Sequence, residues 1–318
     1  MHHFITGGAG FIGSQLIDYL LERGEGVSGV DDFSLGRPEH LASARQSPSF
    51  AFYESDISRP HDAIECLRAA SEWGGPPDII WHFAANSDIA AGAVDASIDF
   101  KRTLQTTFAT LEGAKSRGVK RIAFASSSAV YGELDEPMAE NSGPLLPISN
   151  YGATKLASEA LLSAACESFL ERLWIFRFPN VVGPRATHGA MFDFAVQLAS
   201  APKSLKVLGD GLQTKPYLHV SELMDAMQFI VANASERRNV FNIAPDGPGT
   251  SIAFMAEHVI EHMSPGTSIA YAGGDRGWVG DVPRFGYNTE RLKTLGWQPT
   301  LSSDEAVLRA IREIPLLH

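Results

Sequence analysis

Three glycines at the first strand-to-helix junction constrain the fold of this chain more than any other feature. Gly7, Gly10 and Gly13 follow the apolar segment Phe4-Ile5-Thr6 with GxxGxxG spacing, and an amphipathic stretch begins at once. Glycine allows a tight turn, lets backbone N–H groups approach a diphosphate, and permits close packing of helix on strand. The motif therefore predicts a dinucleotide-binding turn. The residues assigned to it are Gly7, Gly10, Phe11, Ile12 and Gly13.

Short apolar runs alternate with amphipathic stretches over the first two-thirds of the chain, which is typical of βα units and a parallel sheet. The predicted strands are 2–6, 26–31, 50–54, 79–83, 121–126 and 173–178. The predicted helices include 12–23, 99–117, 153–171 and 221–233. The pattern predicts an α/β fold of the Rossmann type, with a doubly wound parallel sheet.

Proline and glycine become frequent after about residue 180, for example in Gly209-Asp210-Gly211 and in 245–249. This change in residue composition predicts that the chain has two structural regions. Residues 1–180 would form a dinucleotide-binding Rossmann domain, and residues 181–318 a smaller lobe interwoven with it.

Composition excludes several classes of function. The net charge is −11 and the pI is near 5.4, so a nucleic-acid partner is not expected, although local cations could still hold an anionic small substrate. Cys66 and Cys166 are isolated, which predicts reduced packing residues and no metal site. We expect no signal peptide and no membrane span, and hence a cytoplasmic protein.

Acidic residues follow the second and third predicted strands. Asp31 lies about 20 residues beyond the glycine turn, where a carboxylate binds ribose hydroxyls and repels the 2′-phosphate of NADP. Asp31, with Asp32, therefore favours NAD; the alternative is that both residues only cap the next turn. Asp56 and Ile57 occupy a position from which they could contact the adenine amino group of the dinucleotide. The alternative is that Asp56 is an ordinary solvent-exposed carboxylate.

A tyrosine and a lysine lie one helical turn apart at Tyr151 and Lys155. A neighbouring ammonium and the positive nicotinamide of NAD⁺ would favour the phenolate, making tyrosine usable as a base. Ser126 ends the predicted fifth strand and Ser127 follows it, where a hydroxyl could bridge the substrate and Tyr151. Each motif alone is common, but their order along one chain is specific.

In these motifs the chain resembles the extended short-chain dehydrogenase/reductase superfamily, in its NAD-dependent nucleotide-sugar epimerase/dehydratase branch (UDP-glucose 4-epimerase-like). The matching stretches are 6–13, 30–31, 82–85, 126–132, 151–155, 177–184 and 209–220. The resemblance implies a resident NAD, a C-terminal substrate lobe and a homodimer built on a helix bundle. It also implies roles for seven residues: Tyr151 as base, Lys155 orienting it, Ser127 at the 4-hydroxyl, and Ser126, with Phe83, Ala84 and Ala85, beside the cofactor. Thr103 replaces a family Asn, so we expect an altered contact there.

The reaction is predicted from the acidic residues that related enzymes have after the position of Ser127 and this chain lacks. Related 4,6-dehydratases have Asp and Glu after the position of Ser127, and related decarboxylases have Glu at the position of Ala129; this chain has Ser128 and Ala129. Without a second acid or base, 4-epimerisation of a UDP-hexose or UDP-hexuronate through a 4-keto sugar is the favoured activity. A dehydratase or decarboxylase, with Asp88 as a candidate acid, and a non-catalytic NAD-binding regulator are the alternatives.

The resemblance also implies substrate contacts. The candidates are Ser87, Ser127, Asn180, Lys215 and Arg276. Lys215 stands where the family usually has arginine. Lysine supplies the positive charge but cannot donate the two parallel hydrogen bonds that arginine gives a phosphate. The alternative is that Lys215 is an ordinary surface lysine. Phe285 aligns with a position that limits room around the sugar, which predicts a substrate without an N-acetyl group.

Overall fold

A computed structural model describes residues 1–134, 137–200, 203–274 and 285–314. The strands are β1 His2–Thr6, β2 Gly26–Asp31, β3 Phe50–Glu54, β4 Ile79–His82, β5 Arg121–Ser127, β6 Arg172–Phe178, β7 Asn180–Val182, β8 Ser204–Val207, β9 Thr214–Lys215, β10 Tyr217–His219, β11 Arg238–Asn242, β12 Thr250–Ser251 and β13 Ser268–Tyr271. The helices are α1 Phe11–Leu21, α2 Pro60–Gly74, α3 Ile89–Val94, α4 Ala96–Asp99, α5 Thr106–Arg117, α6 Asn150–Ala165, α7 Ala190–Ala199, α8 Val220–Asn233, α9 Ile252–Met263, α10 Glu290–Leu295 and α11 Ser303–Arg312.

Seven strands form the main sheet in the order β11-β6-β5-β4-β1-β2-β3, and the pairings from β3 through to β5 are parallel. The order reverses between β1 and β4, which is the topological switch point where ligands of doubly wound sheets bind. The predicted Rossmann fold is confirmed. The glycine turn, Asp31, and the ends of β4 and β5 all lie at the carboxyl edge of this sheet.

The predicted helix 99–117 is not one regular helix. Residues Phe100–Gln105 form a π-helical segment between α4 and α5, and the Thr106 hydroxyl donates to the Lys101 carbonyl at 3.1 Å. Such segments are rare and concentrate at functional sites. The predicted helix 153–171 begins earlier, at Asn150, because the Ser149 hydroxyl caps it by accepting from the Gly152 N–H, and it ends at Ala165.

The chain divides into two compact units. The first unit comprises Met1–Tyr131, Leu145–Arg177 and Met227–Phe241, and the second comprises the described parts of Gly132–Pro144, Phe178–Ala226 and Asn242–His318. In the first, α2, α5 and α6 bury apolar side chains such as Leu67, Leu111 and Leu162 with those of the sheet. In the second, three two-stranded pairs (β7–β10, β9–β12 and β8–β13) accompany a core from α7, α9 and α11.

Cys66 and Cys166 are both free thiols, and both are buried. None of the helices in the described part of the chain is both long enough and apolar enough to cross a bilayer.

Candidate active site

The glycine turn packs too closely for any other residue at two positions. Gly7 has a φ of +69°, and a Cβ there would lie 2.8 Å from the Ala84 nitrogen. A Cβ on Gly13 would lie 2.1 Å from the Gly7 carbonyl oxygen. Helix α1 therefore starts directly against the turn, and Phe11 opens it. The first N–H groups of a helix have no intrahelical partner, so this geometry fits a dinucleotide diphosphate.

Asp31 is held against the same turn. Its Oδ2 accepts from the Ala9 N–H at 3.0 Å, and its Oδ1 accepts from the Phe33 N–H at 2.8 Å. Burial raises the pKa of Asp31, and these backbone donors oppose that shift. Asp32 is exposed and caps the Ser34 N–H. Both residues therefore cap the turn after β2, which was the alternative interpretation. Asp31 also lies beside the glycine turn, where a dinucleotide would bind.

Asp56 is bound to a lysine that the sequence analysis did not single out. Its Oδ2 lies 2.9 Å from the Lys101 Nζ, and its Oδ1 accepts from the Ser58 N–H at 3.0 Å. Burial acts to raise the pKa of Asp56, but the Lys101 and Ser58 bonds prevail and lower it to about 2. The neighbouring Ile57 is buried in the core of the first unit.

The loop after β4 meets the glycine turn through Thr6. The Thr6 hydroxyl oxygen accepts from the backbone N–H groups of Phe83 and Ala84, each at 3.1 Å. Ala85 and Ser87 are half-buried in the same loop. Apart from Tyr151 and Lys155 on α6, the first-unit residues predicted to bind the cofactor therefore occur at strand ends, in the loops that follow them, or in the first turn of α1.

His82 ends β4 as a fully buried neutral side chain. Because Thr6 Oγ1 accepts from two backbone N–H groups, its own hydrogen points at His82 Nδ1, 2.8 Å away. The tautomer assigned by this network carries its proton on Nε2, which donates to Thr107 Oγ1 at 3.0 Å. Burial, aided by the charge of Lys155, lowers the pKa of His82 to about 3.

Ser127 and Tyr151 are brought together as predicted. The Ser127 side chain acts to lower the pKa of the neighbouring Tyr151 phenol, and the Ser127 oxygen accepts from the Ala129 N–H at 3.2 Å. Ser127 ends β5 and Tyr151 lies in the first turn of α6, so the strand end and the helix start fix the pair. This is the arrangement required of a hydroxyl that bridges a substrate oxygen and a tyrosine base.

Lys155 is buried one turn after Tyr151. Its Nζ donates to the Ala125 carbonyl at 2.7 Å and lies 5.8 Å from the centre of the Tyr151 ring. Burial lowers the pKa of Lys155 to about 7 and raises that of Tyr151 to about 12. The charges of the protein alone thus do not lower the pKa of the Tyr151 phenol to near neutral. We expect the positive nicotinamide ring of bound NAD⁺ to lower that pKa further.

A buried ion pair supports the strand end, and sequence reasoning missed it. Glu159 accepts from Arg177 Nη2 at 2.6 Å and from Arg177 Nε at 2.9 Å, and the Ser126 hydroxyl donates to the same carboxylate. The Arg177 guanidinium also lies over the Tyr131 ring. The spacing could have revealed it, because Glu159 follows Lys155 by four residues and so shares its helix face.

The second unit carries the remaining substrate candidates. Asn180 is exposed on β7 and pairs in register with Tyr217 of β10. Lys215, two residues before Tyr217, is buried, so it is not a surface lysine. Arg276 lies outside the described residues. Phe285 is half-buried, and its ring centre is 6.0 Å from that of Tyr287.

Comparison with known proteins identifies the family. Residues 3–244 match the model of the NAD dependent epimerase/dehydratase family. The chain belongs to this family. The resemblance seen in the motifs is thereby confirmed, together with NAD as the cofactor and an enzyme of the epimerase class. The cradle formed by Gly7, Gly13 and Asp31 fits that cofactor.

Three relatives illustrate the similarity. A UDP-glucose 4-epimerase of Mycolicibacterium smegmatis is 31% identical, with 98% of this chain and 97% of the relative covered. The UDP-glucose 4-epimerase of Thermotoga maritima, solved with UDP-glucose, has a TM-score of 0.86 at 27% identity, with 98% of each chain covered. A dTDP-glucose 4,6-dehydratase from Streptomyces venezuelae, with NAD bound, has a TM-score of 0.85 at 25% identity, with 98% of this chain and 96% of that one covered.

Proposed function

We propose that this protein is a UDP-sugar 4-epimerase. The observation that carries the proposal is the position of Ser127, at the end of β5, beside Tyr151 in the first turn of α6, with Lys155 buried one turn along the same helix. The relatives named UDP-glucose 4-epimerase support both the reaction and the UDP moiety.

Each side chain has a defined task in this reaction. Tyr151 takes the proton of the sugar 4-hydroxyl, Ser127 holds that oxygen, and Lys155 supplies positive charge beside the phenol. Bound NAD⁺ supplies the hydride acceptor for C4. Once the 4-keto sugar has rotated to present its other face, Tyr151 would return the proton to O4, and the reduced cofactor would supply the hydride to C4.

The residues after Ser127 favour epimerisation over elimination. Ser128, Ala129 and Val130 form a short 3₁₀ turn that carries no carboxylate. This turn packs tightly, since a Cβ on Gly152 would lie 2.3 Å from the Ala129 carbonyl oxygen. Asp88, the alternative acid, caps α3 by accepting from the Ala91 N–H at 2.9 Å. Its carboxylate is therefore engaged in the cap.

The deciding experiment is incubation with UDP-, GDP-, CDP- and dTDP-sugars, followed by separation of epimers and mass analysis. We expect UDP-glucose or UDP-glucuronate to give its 4-epimer at unchanged mass. Loss of water would assign a dehydratase, and loss of carbon dioxide a decarboxylase. Bound NAD without any exchange at C4 would assign a non-catalytic regulator.

The sugar is proposed to lack an N-acetyl group, on the alignment of Phe285 with the residue that limits space in the family. A Phe285→Ala variant should gain turnover of UDP-N-acetylglucosamine relative to UDP-glucose. A wild-type preference for the acetylated sugar would contradict the proposal.

A homodimer is proposed through α5 and α6. Large apolar side chains are exposed on this two-helix face and on the π-helical segment before it: Phe100 at 55%, Phe108 at 45% and Leu161 at 36%. A second copy of the same face would bury them in a helix bundle. Light scattering should give a dimer for the native chain and a monomer for Phe108→Glu with Leu161→Glu.

A further inference from the structure

The carboxylate of Asp99 is buried at the end of α4, just before the π-helical segment. Its Oδ1 accepts from the Asn86 Nδ2 at 2.8 Å. Its Oδ2 is buried and has no hydrogen-bond partner among the residues that the structure describes. A buried carboxylate with one oxygen unsatisfied costs free energy, and burial accordingly raises the pKa of Asp99. The hydrogen bond from Asn86 and the positive charge of Lys155 act against that rise and favour the ionised carboxylate.

The backbone around Asp99 is shaped to accept the carboxylate. A Cβ on Gly92 of α3 would lie 1.9 Å from Asp99 Oδ2, so a side chain at position 92 would displace it. The Gly92 carbonyl in turn accepts from the Asn150 Nδ2 at 3.0 Å. Asn150 immediately precedes Tyr151. Asp99 therefore packs against the backbone that contacts the first turn of the catalytic helix.

Helix α4 and the π-helical segment pack against α6, which carries Lys155. The titratable groups that interact electrostatically with Lys155 are Asp99 at the end of α4, Glu159 on α6 and His82 on β4. His82 is neutral at physiological pH, and Glu159 already binds Arg177 through both carboxylate oxygens. The Glu159–Arg177 pair is electrically balanced by itself. Glu159 has the larger effect on Lys155, and Asp99 is the second carboxylate that acts on it and the one whose Oδ2 has no hydrogen-bond partner among the described residues.

We propose that Asp99 is a positioning residue that balances the buried ammonium of Lys155 and keeps it charged beside Tyr151. The inference rests on the proposed function, because it concerns the site formed by Tyr151, Ser127 and Lys155. Burial lowers the pKa of Lys155, and the carboxylates of Glu159 and Asp99 oppose that shift. The charge of Asp99 also acts, after burial, to raise the pKa of Tyr151.

Replacing Asp99 by asparagine removes the charge but keeps an oxygen that can accept from Asn86. The carboxylate of Asp99 stabilises the ammonium form of Lys155 and destabilises the phenolate form of Tyr151. Without that charge, the pKa of Lys155 and the pKa of Tyr151 should both fall. In protein labelled at lysine Cε, with the Lys155 signal assigned by Lys155→Met, we expect the NMR titration midpoint of Lys155 to fall by about one pH unit. Both limbs of the kcat–pH profile should move to lower pH, with KM little changed.

An unchanged Lys155 midpoint in Asp99→Asn would overturn the proposal, even if that variant has a lower melting temperature. Asp95→Asn is the matched control, because Asp95 is an exposed carboxylate four residues earlier that caps Ser97. It should leave the midpoint in place. If Asp99→Asn does not fold, Asp99→Ala removes the same charge. The titration needs no substrate, so it decides this inference even if no sugar is epimerised.

Discussion

The Ser127 hydroxyl at the end of β5 lies beside the Tyr151 phenol in the first turn of α6 and acts to lower the pKa of that phenol. This relationship joins the last residue of a central strand to the second residue of the catalytic helix. The Ser149 cap fixes where that helix starts, and hence where the phenol lies.

Removing the phenol oxygen should stop the chemistry without emptying the cofactor site. Tyr151→Phe keeps the ring and its packing but has no group to take the 4-hydroxyl proton. We expect kcat to fall about 10²–10⁴-fold, with NAD still bound. Turnover and cofactor absorbance of the purified variant check this. Undiminished kcat would remove Tyr151 from its role.

The close packing of the glycine turn predicts a strong effect of one methyl group. The Cβ of Gly13→Ala would lie 2.1 Å from the Gly7 oxygen, so α1 must shift from the turn. We expect the free energy of unfolding to fall by about 1–3 kcal/mol and NAD affinity to drop. Gly26→Ala is the control, since its Cβ would lie 3.5 Å from its nearest neighbour. Equal effects in both variants would contradict the packing argument.

Two ion pairs of the same length should differ greatly in importance. Arg177–Glu159 is buried and Lys120–Glu171 is exposed, each with an N···O distance of 2.6 Å. Glu159→Gln leaves a buried guanidinium unbalanced and should lower the free energy of unfolding by about 3 kcal/mol or more. Glu171→Gln should change it by less than about 1 kcal/mol. Urea unfolding measures both, and similar losses would refute the distinction.

His82 should make the fold sensitive to acid. Its pKa is about 3 in the folded chain and about 6.5 when unfolded, so the unfolded state binds more protons between these values. Folding stability therefore falls as pH drops from 6.5 towards 3, by up to about 1.4 kcal/mol per pH unit. His82→Asn should flatten this dependence in urea unfolding at several pH values. The exposed His61→Asn should leave it as steep as in the native chain.

The sheet could be predicted because its signals are local. Apolar runs and the glycine turn placed six strands of the main sheet to within a residue or so, and Tyr151 with Ser127 followed from their positions at a strand end and a helix start. β11 was not predicted, since it follows the irregular second half of the chain.

Asp99 and Glu159 were missed for a different reason. A charged residue within an amphipathic stretch suggests solvent exposure, and its burial depends on which helix packs over it. The π-helical segment was likewise invisible, because its i→i+5 bonding leaves no residue pattern. For Glu159 the spacing from Lys155 was a usable signal; for Asp99 the sequence offered none.

The edge of the sheet has a practical consequence for dissecting this protein. β11 lies beside β6 in the sheet but is encoded some 60 residues later, after the second unit has intervened. A gene fragment that stops at residue 180 would therefore uncover the main-chain groups of β6 along its whole length. Bare strands of this kind recruit other chains, so such a fragment should precipitate unless residues 227–241 are grafted back onto it.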